Sequence, residues 1–134
     1  MKNKFFFILI FILLNSINNL LANEIIIESK DISILDNGNK IISGKGIANS
    51  IEDSLTIKAG KFDYNKNLSI LIATEKAVAN MTKKNIIMNA DKFIYNKKLS
   101  TLHAIGNVNV YDSINNISII SKKIFYYINE NKIE

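Results

Sequence analysis

The sequence predicts an all-β protein built from a bent two-strand unit that repeats along the chain. Three observations carry this. Residues 55–85 and 86–116 align without a gap at a period of 31, and a period of that size marks a stacked-repeat architecture. Within each unit apolar residues recur at every second position, which is the period of a strand. The alternation then slips at the same place in every copy, and a slip at a fixed place means a built-in bulge or corner that curls the sheet. Of the 134 residues 48% are hydrophobic, and proline, cysteine and tryptophan are absent. Without cysteine there is no disulfide framework, thiolate zinc site or cysteine nucleophile, and one histidine excludes multi-histidine metal sites. The absence of proline suits an uninterrupted ladder of strands.

The chain opens on an address. Lys2 and Lys4 precede an unbroken apolar run from Phe5 to Leu14, ten residues long, after which Asn15, Asn18 and Asn19 follow. A span needs about 20 apolar residues, so residues 1–22 read as a secretory signal peptide with cleavage after Ala22. Retention as a short tether is the alternative, because Leu20 sits where a small residue is preferred. All 17 basic residues are lysine, against 12 acids; removing residues 1–22 leaves 15 against 12, a net charge of +3. A bias so uniform in Lys, Ile and Asn says little about partners. Residues 23–134 form the single expected domain.

Its elements follow from the stripe. In the first unit Ile25, Ile27 and Ser29 lead over the slip to Ile32 and Ile34, with Ile42, Gly44, Gly46 and Ala48 as the returning run. This copy precedes the next by thirty residues instead of 31, a difference assigned to the turns. Leu55, Ile57 and Ala59, then Phe62 and Tyr64, open the second unit, and Leu71, Ala73, Ala77 and Ala79 return. The third unit repeats the pattern with Ile86, Met88, Ala90, Phe93 and Tyr95, then Leu102, Ala104, Val108 and Val110. Ile117, Ile119, Ser121, Ile124 and Tyr126 begin a fourth. Between runs stand turn formers: Asp36-Asn37-Gly38, Asn65-Lys66-Asn67, Asn96-Lys97-Lys98 and Asn129-Glu130-Asn131. Two strands per unit of about eight to ten residues are expected. The opposite face also carries apolar residues, Ile70, Ile72, Ile94 and Ile105, more than a one-sided sheet requires. Repeats this thin bury core poorly, so the inward stripe is expected to leave an apolar groove along the repeat axis.

Little in the chain points to catalysis. His103 takes the place of Ile72 in the aligned repeat and reads as a strand-face residue. Asp63, Asp91 and Asp112 lie near bends or turns, where carboxylates bind local backbone amides. Calcium between equivalent carboxylates lacks an Asp-x-Asp-Gly loop to support it. Nucleic acid is disfavoured too, because there is no arginine to read guanine or phosphate and the aromatics share the inward stripe. No cofactor is implied. A structural β-solenoid or cell-surface module without ligand remains as the alternative, and it differs in one respect: its stripe would be filled by neighbouring side chains.

Ala90-Asp91-Lys92-Phe93-Ile94-Tyr95-Asn96, followed by Ala104-Ile105-Gly106-Asn107-Val108-Asn109-Val110, resembles a known repeat. It is similar to the OstA-like unit of the lipopolysaccharide-transport family, which includes the periplasmic bridge protein LptA and the N-terminal domain of the outer-membrane protein LptD. The second unit keeps Ala59, Phe62, Asp63, Tyr64 and Ala73 but has Gly60 for the aspartate and Glu75-Lys76-Ala77 for Gly-Asn-Val. The resemblance implies a β-jellyroll of stacked V-shaped layers whose apolar inner slot holds the acyl chains of lipopolysaccharide. On this chain the slot would be lined by Ile57, Phe62, Tyr64, Leu71, Met88, Phe93, Tyr95, Leu102, Val108, Val110, Ile119 and Ile124. Lys61, Lys92 and Lys122 near the strand entrances read as a solvated face more readily than as phosphate ligands. The implied partners are lipopolysaccharide, other jellyroll-domain proteins of the family through edge-strand stacking, and the outer membrane. The implied location is the periplasm or the periplasmic face of that membrane. The fourth unit ends at Glu134 after a strand and a turn, so the expectation is a fragment or N-terminal part of the outer-membrane component, with a short bridge-like protein as the alternative.

Overall fold

A computed structural model describes residues 24–134; the signal peptide expected over residues 1–22 lies outside the described residues. Alternating apolar sequence yields β1 (Ile25–Ser29), β2 (Ile32–Leu35), β3 (Lys40–Ser43), β4 (Gly46–Ser50), β5 (Leu55–Ala59), β6 (Lys61–Asn65), β7 (Ile70–Met81), β8 (Ile86–Asn96), β9 (Thr101–Asp112), β10 (Ile117–Tyr127) and β11 (Lys132–Ile133). Single 3-10 turns occupy Asp36–Gly38 and Thr82–Lys84. Every pairing is antiparallel, and all the strands belong to one sheet that does not close on itself. The sheet is instead folded lengthwise into a V. One arm holds β1, β4, β5 and the adjoining halves of the long strands, residues 77–81, 86–90, 108–112 and 117–121. The second arm holds β2, β3 and β6, then residues 70–74, 92–96, 101–105 and 123–127, and finally β11.

The bends fall where the alternation slips. The chain breaks between β1 and β2 and between β5 and β6, while β8 and β10 pass the corner with shifts in register at Asn89/Lys92 and Ser121/Lys123. The long strands therefore reach 11 or 12 residues, more than expected, and the first three crossings are split into pieces of 4 or 5. The first unit also needs a correction. Ile41 and Ser43 face Tyr64 and Phe62 on the inner side, so Ile42 points outward beside Asp63. Inner positions then resume at Gly46, opposite Ala59. The step from Ser43 to Gly46 is one residue shorter than that from Ala73 to Ala77. The missing residue of this copy is thus lost at the corner and not in the turns.

Side-chain size follows the wedge. Next to the corner, where the arms converge, the inner positions are Ala59, Ala73, Ala77, Ala90 and Ala104, all buried. At the mouth they are Tyr64, Leu71, Tyr95, Leu102 and Tyr126. Sizes also alternate across strands, as in the row Ser43, Phe62, Ala73, Phe93, Ala104 and Ile124, so large side chains of one arm find room among small ones. After the turn at Asp36–Asn39, each turn closes on a Ser or Asn in the left-handed region, such as Ser69 (φ 56°), Asn85 (φ 54°) and Ser100 (φ 48°). Asn65 and Asn96 accept hydrogen bonds from the backbone N–H of Leu68 (3.0 Å) and Leu99 (3.2 Å), the Asx geometry that asparagine brings to turns.

The corners depend on an acid opposite a glycine. Gly106 has φ +77°, and a Cβ on it would lie 2.4 Å from an Asp91 carboxylate oxygen. That carboxylate also accepts a hydrogen bond from the Asn107 amide at 2.8 Å. One layer earlier the residues are exchanged: Gly60 stands where Asp91 stands, Glu75 where Gly106 stands, and a Cβ on Gly60 would be 2.6 Å from Glu75. The departure of the second unit from the repeat is therefore a compensated swap. Gly106→Glu alone should cost about 1–3 kcal/mol in urea denaturation, by steric conflict with Asp91. Adding Asp91→Gly, which recreates the second layer's corner, should recover most of it.

Candidate functional site

The sequence-predicted slot residues lie on the inner face of the V and form one core. Ile57, Phe62, Tyr64, Leu71, Met88, Phe93, Tyr95, Leu102, Val108, Val110 and Ile124 are buried, and Ile119 is partly buried against them. The middle of the stripe is packed shut, with Phe62, Met88, Phe93 and Leu102 at 0% exposure. The groove expected along the axis is thus filled by neighbouring side chains in this conformation.

Apolar inner surface is open at the two ends, because the arms are offset. The Tyr64 phenol of the second arm lies beside the backbone of Ile25 and the charge of Glu24, and Tyr95 of the same arm reaches Ser50 and Asp53. This leaves Ile32 and Ile34 of β2 exposed beyond β1 at one end. At the other, Ile117 is exposed and Ile119 half-buried on β10, whose segment 117–121 pairs only with β9.

The mouth is closed by polar side chains that the sequence reading missed. Tyr95 donates its hydroxyl hydrogen to the Asp53 carboxylate, with the Ser50 hydroxyl 2.8 Å from the phenol oxygen. Ser100 donates to the other Asp53 oxygen at 3.0 Å. Lys97 donates to Glu52 at 2.7 Å. Asp53 and Lys97 are only 9% and 8% exposed, so each is a charge held by partners on the opposite arm. The turn 51–54 of the first arm is thereby latched to the turn 97–100 of the second. A signal existed, since Asp53 falls where the next repeat has Lys84, and a charge reversal inside a regular repeat invites a separate explanation.

The remaining candidates are local. His103 stands on the outer face of the second arm in one row with Ile72 and Ile94, as the repeat implied. It stacks on Phe125 with ring centroids 3.8 Å apart. Its Nε2 has no hydrogen-bond partner among the described residues, and partial burial together with Lys123 and Lys92 lowers its pKa. Asp112 accepts from the N–H groups of Ile114 and Asn115 at 2.9 and 3.0 Å, and Asp63 pairs with Lys40 at 3.2 Å. Lys61, Lys92 and Lys122 line the outer ridge of the corner, away from the stripe. No three His, Asp or Glu side chains converge among the described residues.

A folded antiparallel sheet with a packed, largely apolar inner stripe and offset open ends gives the chain an LptA-like β-jellyroll fold. The chain is similar to the crystal structure of LptH, described as the LptA homologous periplasmic component of the conserved lipopolysaccharide transport device from Pseudomonas aeruginosa. The TM-score is 0.69 at 10% sequence identity, over 84% of this chain and 81% of that one. No family model and no curated protein sequence matches the chain.

The latch has a pH signature. Burial, then the hydrogen bond to Asp53, raises the Tyr95 pKa far above the ordinary phenol value of 10.0. Burial likewise raises those of Tyr64 and Tyr126. A phenol with a raised folded pKa contributes stability that is complete below the unfolded pKa and is lost as pH rises above it. Stability to urea should therefore fall above about pH 10. Tyr95→Phe should make this fall shallower and, at neutral pH, cost about 1–3 kcal/mol by leaving buried Asp53 one donor short.

Proposed function

We propose that this protein binds the acyl chains of lipopolysaccharide between its arms and carries the lipid through the periplasm, docking end to end with like domains. The observation that carries the reading is the inner stripe. It is apolar but for a few serines and ends in exposed isoleucines on opposite arms, within a fold like that of a periplasmic lipopolysaccharide-transport component. Each methylene buried there contributes ~0.8 kcal/mol, so affinity comes from area and needs no specific polar contact. The one-sided segment 117–121 of β10 offers backbone groups for strand addition, which supports stacking on another jellyroll. The protein performs no chemistry of its own in this role. Of the two family contexts, we propose the N-terminal part of the outer-membrane component, with a stand-alone bridge protein as the alternative. The filled stripe favours a second reading, a structural module without ligand, and lipid binding therefore requires the arms to part.

Photocrosslinking tests this directly. With an unnatural photoreactive residue at Phe93 or Leu102, irradiation in the presence of lipopolysaccharide should trap the lipid. The same residue at Lys92, on the outer ridge, should trap none. Crosslinks from the outer position alone would sink the inner-cleft reading and leave the structural module.

A further inference from the structure

We infer that the mouth between turns 51–54 and 97–100 is a side portal through which an acyl chain reaches the inner stripe, with the Asp53 latch as its gate. This rests on the lipid-binding reading above. Two groups of residues meet at this place. Ile51 and Leu99 flank the latch on opposite rims and are 60% and 69% exposed. Leu99 is held at the tip by the Asn96 side chain, which fixes its backbone N–H. Exposed aliphatic side chains on both rims make a first contact for hydrocarbon. The stripe starts next to both turns, with Leu55 after the first and Tyr95 and Leu102 on either side of the second, all buried.

The gate can move because the bonds that span it differ from those that hold each rim. Each turn is tied to its own arm by backbone hydrogen bonds: the Thr82 N–H donates to Ser54 O at 3.2 Å, the Lys97 N–H to Ser69 O at 2.9 Å, and the Ile128 N–H to Ser100 O at 2.9 Å. Across the mouth the bonds among residues 50–53 and 95–100 run between side chains. Parting the rims therefore leaves every ladder intact. It also returns the buried Asp53 and Lys97 to water, and their rehydration offsets much of the loss. A seam of leucine and phenylalanine would lack that compensation and stay shut. A wedge closed by ionisable groups over an apolar interior thus has two states, one sealed and one wet at the rim.

The chain has no cysteine, so paired cysteines can be bridged across the mouth by a short bis-maleimide. Asp53→Cys with Ser100→Cys places one on each rim. Glu52→Cys with Lys97→Cys is a second pair that keeps the bond between Asp53 and Tyr95. Loading is followed with a pyrene-labelled long-chain fatty acid and with purified lipopolysaccharide. Bridged protein should load about tenfold more slowly than the same variant left unbridged. Tyr95→Phe should load about tenfold faster than the unaltered protein, the factor carried by one charge-assisted hydrogen bond. Equal rates in bridged and unbridged protein of both pairs, with binding retained, would overturn the portal and leave the lipid to enter from an end. Failure of the unaltered protein to bind either probe would overturn the lipid-binding reading and the portal with it.

Discussion

Backbone pairing in this protein runs from β1 to β11 without leaving one sheet, and that continuity depends on how the strands turn the corner. At the bend between β6 and β7 and between β8 and β9, adjacent strands approach so closely that one of a facing pair has given up its side chain. Asp91 against Gly106 and Glu75 against Gly60 satisfy the same constraint in opposite senses. The corner residue that keeps its carboxylate can fix the bulge, as Asp91 does through Asn107. Two bulky residues would push the ladder apart at the apex. The arms would then no longer face each other, and the stripe would be bathed in water.

Once the sheet is folded, the wedge dictates the core. Alanine lines the apex because nothing larger fits, and tyrosine lines the mouth because only a long side chain crosses the gap. The Tyr95 ring then belongs to the apolar core while its hydroxyl belongs to the rim. One residue couples packing to closure in this way. Raised phenol pKa values at Tyr64, Tyr95 and Tyr126 are the electrostatic trace of the same position, half in the core and half at the mouth.

The packed middle of the stripe and its open ends set different requirements for a lipid. Isoleucines at the ends are accessible as the protein stands, whereas Phe62, Met88 and Phe93 become accessible only if the arms separate. The Asp53, Ser50, Ser100 and Glu52 bonds of the latch run between side chains, so separation leaves the backbone ladders untouched. Similarity to LptH at 10% identity fits a fold specified by the pattern of stripe, corner and turn more than by particular residues.

Much of this was legible in the chain itself. The period of 31, the alternation and the recurrent slip determined the strands, the bends and the inward stripe, because each is a local consequence of backbone geometry repeated many times. The asparagine turns were legible for the same reason. Two local readings failed where one residue decides the face: the first unit loses its residue at the corner and not in the turns, and Ile42 therefore points outward. The tertiary structure alone decided what meets across the V. Asp53 and Tyr95 are 42 residues apart, and their meeting depends on the offset of the arms, which no period of the sequence encodes. Whether the stripe lies open or sealed follows from that offset and from the fit of side chains across the gap, both properties of the assembled sheet.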